Sequence, residues 1–188
     1  MHKRLKKCLK EWRIEKVFSI TADNAKSNDK MIAHLKNKFN AKGKVVDHEM
    51  YVHVICIAHI FNIVVQEALK DVKNSVKKVR NAVKFIRSSP ARLKKFKECA
   101  DSEGIECSKS LCLDVPTRWN STYLMLSTAE KYEKAFEFYE TVELYFKLDL
   151  ESDSQERVPS FFDWDLIRKM SNMLKQFYLA TLRVSYMP

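Results

Sequence analysis

The hydrophobic pattern changes period along the chain. Leu5, Cys8, Leu9 and Trp12 recur at steps of three and four, which predicts a short amphipathic helix ending before Lys16. Val17 to Ala22 is a compact β-prone run closed by Asp23 and Asn24, predicting a strand with an acid at its carboxyl end. Ser27 or Asn28 suits the cap of a following helix, with Asp29 in its positive first turn and Ile32, Leu35 and Phe39 on one face. Met50 to Ile57 is a second apolar run of strand length, continuous enough to predict a central, covered strand. From His59 onward the period is 3.6. Val65, Leu69, Val72, Val76, Val79, Val83 and Ile86 predict a long helix, with Pro90 ending it or opening the next turn. Asp101 to Asp114 reads as a polar loop ending at Pro116. Helical spacing resumes from Met125 to Phe146 and from Trp164 to Phe177, with an acidic connector from Asp149 to Pro159 between them.

This order predicts an α/β piece followed by an all-α part, and we place the division near residue 100, giving domains 1–100 and 101–188. Two glycines and four prolines are too few for the turns of an all-β sandwich. No apolar run approaches the roughly 18 residues of a membrane span. The first ten residues lack the apolar core and cleavage site of a signal peptide, so the expected compartment is the reducing interior of a cell. The five scattered cysteines, with no CxxC pair, then read as free thiols.

Charge adds what the pattern leaves out. The net charge is +10, but residues 1–100 hold 24 basic and 9 acidic side chains, and residues 101–188 hold 10 basic and 15 acidic. Lys70 to Lys97 contains eleven Lys or Arg and one acid, Asp71. Lys73, Lys77, Arg80, Lys84 and Arg87 each follow an apolar residue of the long helix, so they form a basic stripe beside the buried one. A solvated helix flank is the alternative to a phosphate-contacting face, and the near-absence of acids for i,i+4 pairing favours contact with a polyanion.

Three short motifs carry candidate chemistry. A carboxylate at the end of a strand, as at Asp23, is where α/β folds place metal or ligand chemistry, though a cap or turn role also suits it and its neighbour Asn24. Cys56 and His59 form a CxxH pair that supplies two of the four ligands a zinc ion needs, without a second pair in the sequence. In Asp114-Val-Pro-Thr-Arg-Trp-Asn-Ser-Thr122, Thr117 or Ser121 suits a helix cap. There Arg118 beside Trp119 is a pair able to hold a phosphate and stack a base; core packing is the competing reading for Trp119.

Taken in order, Asp23-Asn24-Ala25, Cys56-x-x-His59-Ile60-x-Asn62-Ile63 and Arg118-Trp119-Asn120-Ser121-Thr122 resemble the hAT superfamily of transposases, in the form of the plant zinc finger BED domain-containing RICESLEEPER-type proteins derived from such elements. The resemblance implies a partial RNase H-like core, about two strands with flanking helices, followed by a helical insertion. In the complete family enzyme an Asp-Asp-Glu trio holds two divalent ions, Mg or Mn, for strand cleavage and transfer. Asp23 matches the second acid of that trio. The resemblance further implies that His59 lies close to the active site and DNA backbone, and that Arg118 and Trp119 hold a flipped base. The first acid and the Glu fall outside this stretch in the family pattern. The expectation is therefore a catalytically incomplete chain with no cofactor of its own, in which Asp23 binds metal only with the whole trio. We read the sequence as a nuclear, DNA-binding fragment of a hAT-type transposase or a domesticated derivative, with DNA as partner and no membrane. The alternative is a protein-interaction module that assembles with itself or with full-length hAT-type relatives.

Overall fold

A computed structural model describes residues 2–23, 26–41, 43, 53–154 and 158–185. Three-quarters of the described residues are helical, and the described strands form a two-stranded parallel sheet. By contacts it forms two compact units, residues 1–63 and 64–188. The sequence pattern expects the division near 100; the contacts place it inside a helix, before the basic segment, which therefore belongs to the second unit.

In the first unit α1 spans His2–Glu11, β1 Ile20–Ala22, α2 Lys26–Asn40 and β2 His53–Ile55. Parallel strands need a crossover, and α2 lies in it, burying Ile32, Leu35 and Phe39 at the predicted one-face spacing. The helix starts at Lys26, so Asn28 sits in its first turn instead of capping it, and its side-chain amide donates to Asp23 Oδ1. Register pairs Ile20 with His53, Thr21 with Val54 and Ala22 with Ile55. The strand β1 is shorter than the apolar run predicted for it; of the second run, Met50 to Val52 lie outside the described residues and Ile57 already belongs to a helix. The expected central strand is not a covered one: Val54 and Ile55 are 44% and 45% exposed. Apolar content alone predicts burial, but burial needs a layer on each face, and the described sheet has only two strands.

The helix α3, Ile57–Asp71, starts in the first unit and ends in the second. The long helix predicted through Ile86 is in fact two, because the backbone departs from helical geometry at Val72 (φ −110°, ψ 14°) before α4, Lys73–Arg87. Phase survives the break, so Val65, Val72, Val76, Val79, Val83 and Ile86 are all buried. Pro90 opens a further helix, α5 (Pro90–Ser102), which the apolar spacing did not reveal. Ser89 caps it, accepting from Ala91 N at 3.2 Å, and Pro90 stands at the first turn, where its missing N–H costs nothing.

After the predicted loop, α6 (Trp119–Ala129) continues through a 3₁₀ turn into α7 (Glu133–Val142), followed by α8 (Leu144–Ser154) and α9 (Phe161–Ser185). The acidic connector is shorter than expected, since α8 reaches Ser154. An aromatic cluster cements this unit. Phe96 lies 4.9 Å from Phe136 and 5.6 Å from Tyr139, Tyr139 and Phe85 each lie 5.2 Å from Phe146, and Phe136 lies 5.4 Å from Trp164. Tilted and edge-on pairs of this kind add about 0.5–1.5 kcal/mol each beyond their buried area.

Candidate functional site

The first unit brings Asp23, Cys56 and His59 to one end of its sheet. Asp23 follows Ala22 directly, and Cys56 N donates to Ala22 O at 2.9 Å, continuing the parallel ladder one step beyond the strands. Cys56 then turns the chain into α3, its carbonyl accepting from His59 N at 3.0 Å and Ile60 N at 3.2 Å. The CxxH pair is thus a strand-to-helix hinge: Cys56 caps α3 through its backbone and His59 stands in the first turn. Asp23 is exposed, His59 and Cys56 half-buried. Asn24 lies outside the described residues. A pair of divalent ions does not fit what is present. Asp23 is one carboxylate already accepting from Asn28, and among the described residues no three His, Cys, Asp or Glu gather round a point.

In the second unit the motif Asp114–Thr122 is built around an acid that the sequence reading passed over. The Asp114 side chain is fully buried; Arg80 Nε and Nη2 each reach a carboxylate oxygen at 2.7 Å, and Thr122 Oγ1 donates to Oδ2 at 2.8 Å. Burial pushes the Asp114 carboxyl up, but the hydrogen bonds from Arg80 and Thr122 outweigh it and hold it below the usual carboxylate range. Its partner's guanidinium is held above its own usual value, chiefly by the same hydrogen bond. Ser121 accepts from Val115 N at 2.8 Å and donates to Arg118 O at 2.7 Å. Gln66 reaches Pro116 O at 3.3 Å, and Arg87 donates to Leu111 O. Residues 111–118 are therefore strapped to α3 and α4 at three residues, Leu111, Asp114 and Pro116.

This strapping divides the predicted basic stripe. Arg80 and Arg87 are fasteners of the loop, while Lys73, Lys77 and Lys84 remain exposed on α4. Elsewhere in the basic segment, Lys78 pairs with Asp163 at 2.8 Å, Arg92 with Asp149 at 3.2 Å and Lys95 with Glu143 at 2.8 Å. The acidic half of the chain thus neutralises part of the basic half by folding against it. Asp163 gathers further donors, from Ser75 at 2.7 Å and from Ser160 N at 2.9 Å. Ser160 and Asp163 form a capping box at the start of α9, and this spacing was legible in the sequence. Asp114 gave no such local signal, because Arg80 lies 34 residues away.

Arg118 occupies the N-cap position of α6 and is exposed. Trp119 has the opposite fate. It is 4% exposed and packs edge-on against Phe177, with ring centroids 6.4 Å apart. Its ring is core in this structure, and no face is open to stack a base.

Two family models match the chain. The ZBED1 RNase-like domain matches residues 1–51 and the ZBED1 RNase-like helical domain matches residues 54–173. The chain belongs to the hAT-type, transposase-derived proteins. It is 34% identical over 172 residues to the zinc finger BED domain-containing protein RICESLEEPER 2 of Oryza sativa subsp. japonica, covering 90% of this chain and 23% of that protein. It is also 28% identical over 177 residues to the putative AC transposase of Zea mays, covering 91% of this chain and 21% of that one. With the zinc finger BED domain-containing protein DAYSLEEPER of Arabidopsis thaliana it shares 29% over 174 residues, 92% of this chain and 24% of that protein. The chain spans about a quarter of the length of these curated relatives. No solved structure matches it significantly.

Proposed function

We propose that this chain is a DNA-binding part of a hAT transposase-derived protein, working in the nucleus and contacting duplex phosphates through the exposed face of α4 together with Arg118. The observation that carries the reading is the division of the stripe: Lys73, Lys77 and Lys84 share one exposed helix face, and Arg118 opens the helix whose Thr122 is tied through Asp114 to Arg80 of α4. Cations of one sign on a rigid helix contact successive phosphates without reading sequence. The β1–β2 pair with its helical crossover belongs, in this proposal, to a partial RNase H-like core, and the helices that follow belong to its helical insertion. Asp23 is then a ligand position of the family's acidic trio, with His59 near it, and a divalent ion there would supply water activation only alongside acids from elsewhere. We assign strand cleavage to no residue of this stretch by itself. Fluorescence anisotropy with random-sequence duplex DNA tests the proposal; absence of binding at about 50 mM salt refutes it.

A second reading, assembly with itself or with longer relatives, is supported by the open sheet. Val54 and Ile55, facing opposite ways on β2, are both nearly half exposed. Size-exclusion chromatography with light scattering distinguishes it, because a concentration-independent monomer removes that support.

A further inference from the structure

The second unit carries a cavity of about 310 Å³ between α6 and α9, lined also by the loop residue Lys109. Its volume sits at the lower end of ligand pockets, the size for a compact ligand. Its charge runs against its surroundings. Residues 101–188 hold 10 basic and 15 acidic side chains, yet the lining has Lys109, Lys131 and Lys175 against Glu130 alone. It also has an unanswered donor. Ser171 is 4% exposed and lines the cavity, and its hydroxyl makes no hydrogen bond of ordinary geometry, although it lies near enough to Glu130 to draw that carboxyl's proton affinity down. A buried hydroxyl left unpaired costs stability that a ligand oxygen recovers.

We infer that this cavity binds a phosphate group, held by Lys109, Lys131, Asn172 and Lys175, all exposed, and by the buried Ser171. Ammonium donors suit a phosphate as point charges, and neutral hydroxyl and amide donors complete the shell of a tetrahedral oxyanion. Glu130 is the opposing feature. Burial pushes its carboxyl above the usual range despite Ser171, Arg168 and Lys131, so it takes up a proton more readily than an ordinary glutamate. None of these residues belongs to the α4 face, so this inference and the DNA-binding proposal stand or fall separately.

The test is a titration of the whole chain with sodium pyrophosphate, with dAMP, and with a short oligothymidylate carrying or lacking a 5′-phosphate, followed by backbone amide NMR shifts of Lys131, Ser171 and Asn172. The expected result is saturable shifts with at least one phosphate probe, weakened about tenfold in Lys175→Gln and in Lys131→Gln, and unchanged in Lys73→Gln/Lys84→Gln. Both pocket lysines substituted are exposed, so matched melting temperatures check that packing is intact. Preference for dAMP or pyrophosphate identifies a free small molecule, and preference for the phosphorylated strand identifies a nucleic-acid end. No saturable shift with any of the probes, or equal affinity in both lysine variants, overturns the inference.

Discussion

The salt dependence of DNA binding separates the folded arrangement from the raw charge count. Four cations are offered to phosphates on the proposed face: Lys73, Lys77, Lys84 and Arg118. Each phosphate neutralised contributes about −0.9 to the slope of log K against log salt, so the slope should be about −3.6. Affinity then falls about 150-fold between about 50 and 200 mM salt. If all eleven cations of Lys70 to Lys97 met phosphates, the slope would be about −10 and the loss about a million-fold. The two cases differ because Lys78, Arg80, Arg92 and Lys95 are paired with Asp163, Asp114, Asp149 and Glu143 inside the fold, Arg87 is bonded to Leu111 O, Lys70 and Lys94 pair with Glu67 and Glu98, and Lys97 belongs to α5. The perturbation is Lys73→Gln/Lys84→Gln, which removes two exposed charges and no internal bond. It should halve the slope to about −1.8 and reduce the same salt effect to about twelvefold. Anisotropy with a fluorescent random duplex, at four or more salt concentrations, measures both slopes. A wild-type slope steeper than about −6, or one that the double variant leaves unchanged, refutes the assignment of the face.

Other outcomes follow from the packing. Asp114→Asn leaves the half-buried Arg80 guanidinium without its bidentate partner and should cost about 2–4 kcal/mol in urea unfolding; pairing it with Arg80→Met should recover much of that loss. Asp163, whose carboxyl is pulled down to about 2 by Lys78, Ser160 and Ser75 against the opposing effect of burial, contributes stability that is fully present above its unfolded value near 4. That stability, about 2 kcal/mol, disappears as pH falls from about 4 through 2, and acid titration of Asp163→Asn should lack this step. Trp119→Ala opens a cavity in the core and should lower stability by about 3–5 kcal/mol, seen as an early melting transition by circular dichroism. A variant that melts normally but binds DNA weakly would contradict the burial of that ring.

Much of the fold was legible because it is local. The 3.6-residue spacing of Val65 to Ile86 fixed the buried face of α3 and α4 even across the break at Val72, since the break preserves phase. Ile32, Leu35 and Phe39 are buried on α2 for the same reason. The family was legible too, from three spaced motifs, none of which is informative by itself. The helix α5 escaped because its signal, Ser89-Pro90, also reads as a stop. Val54 and Ile55 were misjudged because apolar character records what a residue tolerates, whereas covering it takes another layer of structure.

The sequence by itself determined the helical periods, the strand that delivers Asp23, the CxxH turn and the lopsided charge. The tertiary structure decided which charges remain available. Arg80 meets Asp114 across 34 residues and Lys78 meets Asp163 across 85, and in each case a cation that looked like DNA-facing surface became a fastener. The physical reason is the range of the forces. Helical spacing is set by hydrogen bonds four residues apart and is written locally, but an ion pair forms only where packing brings two charged groups distant in sequence within about 4 Å, and no local pattern encodes that distance.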